Sequence, residues 1–289
     1  MIPLSDVASF KDNGYLIVRD FLSPEEITNL KSWAQEVHDY QATESSDFMP
    51  YEEVNAKGER VLCRTENFAN SHAGFNSLLR GAKLLHLLEA LSGEPMHLFK
   101  EKINYKLAGS GGFAPHIDAV AYTHIKDVRH LTILLSVDPS NMTNGGLEVV
   151  SGSHEVDVPI NPETNCIADE WVASQRWTPA ELDSGEYGRE TACWWTLIIV
   201  LTGELLIFTS YLAHRSEANH SSSDRKAVYA TYNLASEGDN HKSYYEHRKV
   251  AWPASHMRKD GEKYDKGSLT YGFGSPMLSV DAGKQLIFS

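Results

Sequence analysis

Three residues in the chain have the types and spacing of a metal site. His116 and Asp118 are separated only by Ile117. Because alternate residues of a β-strand point to the same face, these two side chains can reach one ion from one side. His214, far along the chain, would supply a second imidazole. Two histidines and one carboxylate leave half of a coordination sphere open, which is typical of non-haem Fe(II) oxygenases.

A candidate for carboxylate binding follows the second histidine. Arg225 precedes the predicted strand Ala227–Leu234, and its planar guanidinium suits a bidentate grip on a carboxylate such as that of 2-oxoglutarate. Ser216, two residues after His214, could donate its hydroxyl to the same carboxylate. The competing interpretations are a solvated arginine at 225 and ordinary turn histidines at the metal positions. The other histidines near these strands lack a carboxylate at strand spacing together with a downstream arginine: His124, His130, His154 and His220.

Composition excludes several classes of partner. The chain has 289 residues and a formal net charge of −13, whereas nucleic-acid binders concentrate Lys and Arg, so we expect no nucleic-acid partner. Cys63, Cys166 and Cys193 form no CxxC pair, which fits a reducing compartment. The apolar run Trp194–Leu201 is too short to span a bilayer, and the N-terminus shows no secretory signal. We therefore expect a cytoplasmic protein with no membrane partner, either monomeric or homodimeric.

The elements that must position these residues change type along the chain. Ser23 as N-cap with Pro24 next predicts the start of a helix, and spaced leucines predict another over Phe75–Leu91. After residue 96 apolar and polar residues alternate, which predicts a strand over His97–Leu107. Further strands are predicted at Tyr15–Val18, His130–Val137, Leu147–Val150, Glu204–Thr209 and Ala227–Leu234. Many short strands separated by Gly, Asn, Ser and Pro favour a sandwich or barrel, so we predict one mainly β domain with flanking helices over 1–289.

One segment interrupts this pattern. Thr202-Gly203-Glu204 repeats the lead-in Ser184-Gly185-Glu186 immediately before the apolar strand beginning at Leu205. We interpret 186–203 as an insertion in the loop before a core strand, and an extra edge strand is the alternative. An insertion could be deleted with soluble folding retained or improved.

Residues 144–154, NGGLEVVSGSH, resemble a stretch of the phytanoyl-CoA dioxygenase family. Together with 116–118, 214–216 and Arg225, four elements agree in order, and the resemblance extends over residues 5–250. The stretches 101–106 and 229–239 are similar to the branch that acts on small polar molecules, which includes 2-aminoethylphosphonate-type dioxygenases. The chain departs from the family at Ser151, usually proline, and at Ile117, often glutamine; the second departure could alter substrate choice.

The resemblance implies a double-stranded β-helix, the cupin-like jelly-roll, that uses Fe(II), 2-oxoglutarate and O₂. By this analogy iron is bound by His116, Asp118 and His214. The residues implied to contact 2-oxoglutarate are Arg225, Ser216, Lys102 and Asn104, of which the last two could contact substrate instead. Because related halogenases lose the carboxylate ligand, Asp118 favours hydroxylation or desaturation over halogenation.

The expected reaction is oxidation of a C–H bond in a small polar molecule such as an amine, amino acid or phosphonate. Arg64 and Asn67 are expected on a loop that covers the mouth of the site. The full set of residues that could contact substrate is Tyr122, His124, Arg64, Asn67, Tyr232, Asn233 and Glu237. An acidic lining would suit an amine and a basic lining a phosphonate or carboxylate; the sequence leaves both open. A non-oxidative cupin-like isomerase and a catalytically silent binding protein remain as alternatives.

Overall fold

The computed structural model describes residues 2–54, 58–122, 129–180, 203–259 and 261–272. Their helices are Leu4–Asn13 (α1), Pro24–Asp39 (α2), Ala73–Leu79 (α3), Ala82–Ser92 (α4), Asp169–Ser174 (α5), His241–Ala251 (α6) and Asp265–Tyr271 (α7). Their strands are Tyr15–Val18 (β1), Met49–Val54 (β2), Arg60–Glu66 (β3), Met96–Lys106 (β4), Phe113–His116 (β5), His130–Ser136 (β6), Leu147–Val149 (β7), Thr178–Ala180 (β8), Leu205–Thr209 (β9), His214–Ser216 (β10) and Arg225–Leu234 (β11).

The strands form two antiparallel sheets that pack face to face. The larger sheet has the order β1-β9-β6-β11-β4-β3-β2 and the smaller the order β5-β10-β7-β8. Leu134 and Phe208 of the larger sheet share one buried apolar cluster with Leu147 and Val149 of the smaller. This two-layer arrangement is the predicted jelly-roll.

Helices cover the outer face of the larger sheet. Ile103 on β4 and Val228 on β11 have no exposed surface there and belong to the same apolar cluster as Leu30 of α2 and Leu88 of α4. Side chains alternate across a strand, so the neighbours of Ile103 point to the other side, between the two sheets. Strand β4 therefore presents a mainly apolar row to the helices and a polar row to the interior.

The predicted start of α2 is confirmed. The Ser23 hydroxyl accepts the N–H of Glu26 at 3.2 Å, and the Glu26 carboxylate accepts the N–H of Ser23 at 2.8 Å. This capping box satisfies two backbone donors that the first turn cannot. Pro24 occupies the first helical position, as its missing N–H favours.

The single helix predicted over Phe75–Leu91 is wrong, because this segment forms two helices, α3 and α4. Arg80 ends α3, and Gly81 takes an extended conformation before α4 begins. Glycine has low helix propensity, which favours a break at this position. The leucine pattern hid the break because Leu79 and Leu88, on opposite sides of it, are buried in the same core.

The predicted strands are confirmed with bounds that differ by at most two residues. The segment Leu62–Phe68 was expected as a loop, but most of it belongs to β3. Its alternation was obscured by Arg64 and Glu66, which are charged yet buried between the sheets. In the sequence, two charged residues that form a buried ion pair cannot be told from the charged residues of an exposed loop.

The proposed insertion lies outside the described residues except for Gly203. The N–H of Gly203 donates to the carbonyl of Ser136, and its own carbonyl accepts the N–H of Leu22. Gly203 is thus attached to the described fold, so a deletion test should spare it and remove 186–202. In the described part of the chain, no helix has the length and apolar character needed to cross a membrane.

Two glycines at helix ends allow a test of the packing of α1 against the sheets. Gly14 ends α1 at φ 79°, and a Cβ there would lie 2.5 Å from Nδ1 of His154; Gly93 ends α4 at φ 87° with nothing within 4 Å. We expect Gly93→Ala to lower the free energy of unfolding by about 1 kcal/mol through backbone strain alone. Gly14→Ala should lose more, because the contact adds to the strain. Urea denaturation measures both variants, and equal losses would show that His154 moves aside without cost.

Candidate metal and anion-binding site

Strands β5 and β10 bring the two candidate histidines together. The strands are neighbours in the smaller sheet, and His214 lies directly opposite His116 in the antiparallel register. Their ring centroids are 4.1 Å apart, and both side chains are buried. Two residues distant in sequence therefore meet through the pairing of two short strands.

Backbone hydrogen bonds orient both imidazoles. Nδ1 of His116 lies 2.7 Å from the carbonyl oxygen of Ala114, and Nδ1 of His214 lies 2.9 Å from that of Leu212. A carbonyl oxygen only accepts, so each Nδ1 carries the hydrogen and each Nε2 keeps its lone pair, as in metal-bound histidines. Burial lowers the pKa of His116, helped by the neighbouring His214, and burial also lowers the pKa of His214. Both rings are therefore suited to bind a cation in the neutral form.

Asp118 completes the group although β5 ends at His116. Ile117 between them is extended, at φ −118° and ψ 141°, so the spacing of a strand persists for one more residue. Asp118 Oδ1 lies 4.0 Å from Nε2 of both His116 and His214, and the three ligand atoms lie within 4.8 Å of one another. Burial opposes ionisation, but His214 and Lys100 hold the pKa of Asp118 below its usual range. One divalent ion could contact all three donors.

A second cluster of polar side chains, here called the Lys106 group, consists of Lys106, Ser216 and Arg225. Lys106 Nζ donates to Ser216 Oγ at 2.9 Å and to the carbonyl of Gly145 at 3.1 Å. Arg225, opposite Lys106 in the β4–β11 register, donates to the same carbonyl at 2.9 Å. Both cations are buried, and neither forms an ion pair with a carboxylate among the described residues. A bound carboxylate would neutralise this positive charge.

Lys100 and Lys102 form a second cation pair, on the wall of a cavity that the three candidate metal ligands also line. Lys100 Nζ lies 4.6 Å from the ring centroid of Tyr122, and Lys102 Nζ lies 5.1 Å from that of Tyr229, which are cation–π distances. Within the described ranges, neither ammonium group lies within salt-bridge distance of a carboxylate. Burial, with Lys102 nearby, lowers the pKa of Lys100 to about 7. Burial, with Arg64 nearby, lowers the pKa of Lys102 to about 8.

One cavity connects these groups. The candidate metal ligands line it together with Lys100, Lys102 and Ser216. Asn104 lies on its wall, and the Oδ1 atom of Asn104 has no hydrogen-bond partner in the described structure. The cavity thus joins the candidate metal ligands to an unpaired amide oxygen and to two lysines on its wall.

Comparison with known proteins identifies the family. Residues 10–227 match the family described as phytanoyl-CoA dioxygenase (PhyH). The chain belongs to this family. A 2-aminoethylphosphonate dioxygenase from an uncultured bacterium is 32% identical over 268 residues, which cover 93% of this chain and 95% of that protein. A methylphosphonate hydroxylase from Gimesia maris is 31% identical over 272 residues, which cover 94% and 96%.

A solved structure shares the fold of this family member. EctD from S. alaskensis, determined with 2-oxoglutarate and 5-hydroxyectoine, is 20% identical with a TM-score of 0.65, and the match covers 81% of this chain and 77% of EctD. The family, the jelly-roll fold and the class of dioxygenase that uses Fe(II), 2-oxoglutarate and O₂ were expected from the sequence, and they are confirmed.

A buried ion-pair cluster lies next to Lys102 in the dioxygenase. Glu66 on β3 is opposite Lys102 in the register with β4. Its Oε1 accepts a hydrogen bond from Arg248 of α6 at 2.8 Å and lies 3.1 Å from Nε of Arg64. Burial opposes ionisation of this carboxylate, but Arg248 and Arg64 hold the pKa of Glu66 below its usual range. One carboxylate between two guanidinium groups leaves the cluster positively charged.

The predicted substrate residues divide into those near the cavity and those away from it. Tyr122 lies next to the cavity, with Lys100 over its ring, and Arg64 belongs to the ion-pair cluster rather than to a covering loop. The assignment of Tyr232 to the pocket is wrong. It packs on the outer face of the sheet, and its hydroxyl donates to the carbonyl of Leu79 at 2.8 Å.

Three further candidates stabilise turns. The amide of Asn67 donates to the carbonyl of Asp47 at 2.9 Å, and that of Asn233 donates to two carbonyls of the turn that follows β11. The carboxylate of Glu237 accepts the N–H of Arg129. None of the three lines the cavity. His124 lies outside the described residues.

Lys100, Lys106 and Thr132 were not among the site residues expected from the sequence. The two lysines share the polar face of β4 with Lys102 and Asn104, so the alternation of that strand carried the signal. Three lysines on the inward side of a strand are unusual enough to indicate an anion site. Thr132 gave no signal, because it lies in β6, where every residue is buried.

The ion-pair cluster can be tested by denaturation. We expect Arg248→Met to lower the free energy of unfolding by about 3–5 kcal/mol, because it leaves the buried carboxylate of Glu66 with only Arg64. The double variant Glu66→Gln/Arg248→Met should recover much of this loss. Arg60→Met, which breaks an exposed pair with Glu52, is the control and should cost less than about 1 kcal/mol. Equal losses for Arg248→Met and Arg60→Met would contradict a dominant role for the buried pair.

Proposed function

We propose that this dioxygenase oxidises a C–H bond of a small molecule that carries an anionic group of the phosphonate type. The observation that carries this proposal is the pair Lys100 and Lys102, which line the cavity without a carboxylate at salt-bridge distance among the described residues. A basic lining favours an anion over an amine as the recognised group. Two relatives covering nearly the whole chain are named for small phosphonates, which supports the same class.

Iron would be bound by His116, Asp118 and His214. The support is the donor set itself, because two neutral imidazoles and one ionised carboxylate are the ligands of non-haem iron oxygenases. The burial of both histidines next to a cavity also fits a site that must exclude bulk water.

The Lys106 group would bind the distal carboxylate of 2-oxoglutarate. Arg225 and Ser216 were proposed for this role from the sequence, and Lys106 joins them through its hydrogen bond to Ser216. Both cations now donate to the carbonyl of Gly145, and a carboxylate offers a stronger, charge-assisted acceptor. Asn104 could contact either ligand, whereas Lys102 lies with Lys100 and is assigned to the substrate.

Each part of the site has a distinct task in the reaction. When bound, iron together with 2-oxoglutarate activates O₂ for C–H oxidation and releases succinate and CO₂. Lys100 and Lys102 would hold the anionic group so that an adjacent carbon faces the metal-binding residues, which is orientation by a fixed charge pair. The Lys106 group distinguishes this function from a non-oxidative isomerase, which needs no dicarboxylate co-substrate.

The metal assignment predicts a specific loss of binding. His214→Ala should weaken Fe(II) binding at least tenfold, because it removes one of three donors, and anaerobic calorimetry measures this. Wild-type protein with Fe(II) and 2-oxoglutarate should also develop a visible charge-transfer band that the variant lacks. His220→Ala, at an exposed histidine, is the control and should bind iron like wild type. Unchanged iron affinity in His214→Ala would remove the proposed site.

The substrate assignment is tested by succinate release. We expect 2-aminoethylphosphonate or methylphosphonate to stimulate release, and ethanolamine, which lacks the anion, to have no effect. Lys102→Met should raise the KM for the phosphonate about tenfold or more through loss of a charged partner, with little change in the KM for 2-oxoglutarate. Lys31→Met, at an exposed lysine, should change neither. Stimulation by ethanolamine but by neither phosphonate would overturn the anionic substrate class.

The lysine pair should also give a pH dependence. Because the pKa of Lys100 is lowered to about 7 and that of Lys102 to about 8, both lose charge as the pH rises through this range. The KM for an anionic substrate should therefore rise between about pH 7 and about pH 9. A phosphonate itself titrates in this range, so the inhibition constant of taurine should be measured as well. The sulfonate of taurine keeps its charge throughout, so a change in this constant would report the lysines. A taurine inhibition constant that stays constant over this range is the contrary result.

A further inference from the structure

We infer that Thr132 is a positioning residue that makes Asp118 bind metal through one oxygen only; this rests on the metal site proposed above. The hydroxyl of Thr132 donates to Oδ2 of Asp118 at 3.1 Å. The other oxygen, Oδ1, is the one 4.0 Å from Nε2 of both His116 and His214. The two oxygens of this carboxylate therefore have different partners, with Oδ2 held by the larger sheet and Oδ1 facing the histidines.

A second hydroxyl holds Thr132 in place. Thr231 lies directly opposite it in the β6–β11 register, and the two Oγ1 atoms are 3.2 Å apart. Because the Thr132 hydrogen is directed to Asp118, Thr231 must be the donor of this second bond. Both residues are almost fully buried and β-branched, which restricts their side-chain rotation.

The two buried hydroxyl groups are costly to desolvate, which indicates that they have a function at this position. Leu134, the next inward residue of β6, belongs to an apolar cluster, and valine would fill the volume of threonine at 132 without a polar group. A buried hydroxyl is costly unless it is hydrogen-bonded. In this structure the two threonines satisfy each other and the carboxylate in one chain of hydrogen bonds.

Coordination chemistry explains what the chain of hydrogen bonds achieves. Of the positions around an octahedral ion, three would be taken by the two imidazoles and one oxygen of Asp118, and two by a chelating 2-oxoglutarate, which leaves one open. A carboxylate bound through both oxygens would fill that last position. The hydrogen bond from Thr132 to Oδ2 keeps this oxygen occupied, so the open position is retained.

The test measures metal binding without turnover. Thr132→Val keeps the volume and removes the hydroxyl, Thr132→Ser keeps the hydroxyl, and Thr65→Val is the matched control. Thr65 is a buried threonine whose hydroxyl contacts Tyr105 instead of the site. We expect Thr132→Val to change Mn(II) affinity about tenfold and to alter the visible absorption spectrum of the Co(II)-loaded protein. Thr132→Ser should restore both properties, and Thr65→Val should change neither.

The outcomes separate this inference from the proposed function. If Thr132→Val binds Mn(II) like wild type with the same Co(II) spectrum, while His214→Ala loses the metal, the metal site stands and the positioning role is refuted. If the wild-type protein binds neither metal, the proposed function is refuted instead. Should Thr132→Val not fold, Thr231→Val removes the donor to Thr132, and an unchanged Co(II) spectrum in that variant counts against the inference.

Discussion

The inward row of cations on β4 is the constraint around which the site is built. Lys100, Lys102 and Lys106 alternate with residues that are buried on the opposite face of the strand, so none can turn outward without exposing them. A positive charge that is largely removed from water and forms no salt bridge is unfavourable. Anionic ligands relieve this cost, so occupancy of the cavity and stability of the fold should be thermodynamically linked.

The two sheets divide the chemistry between them. The smaller sheet and the turn that follows β5 supply the candidate metal ligands, through the pairing of β5 with β10. The larger sheet supplies the cations and the threonine pair, through the pairing of β4, β11 and β6. The hydrogen bonds from Thr132 to Asp118 and from Lys106 to Ser216 join the sheets at both ends of the cavity. Geometry at the site therefore depends on how the layers pack.

The proposed substrate end depends on residues beyond the segment that matches the family. The match ends at residue 227, yet Arg248 of α6 pairs with Glu66, and the ring of Tyr244 lies 5.8 Å from Lys100 Nζ. The metal-binding residues and the Lys106 group lie within the matched range. Such a division would let the candidate metal site stay constant while α6 changes the surroundings of the two lysines proposed to bind substrate.

Local sequence determined much of this protein. Short-range patterns predicted the strand periods and the start of α2. Residue type and spacing also gave the candidate metal ligands at 116, 118 and 214, and the arginine and serine of the Lys106 group. The sequence also showed three lysines on one face of β4, but it could not show that this face is the interior.

Tertiary structure alone decided which residues share a space, because that depends on strand register and sheet packing rather than on neighbours in the chain. Register places Tyr232 on the outer face and the neighbouring Thr231 in the cavity. Arg64 and Glu66 were expected in a loop, but they lie in β3, where Arg248 of α6 pairs with Glu66. Likewise, only the approach of β6 to the end of β5 brings the hydroxyl of Thr132 to Asp118. The sequence periods of strands and helices, two and 3.6 residues, carry no information about contacts of this kind.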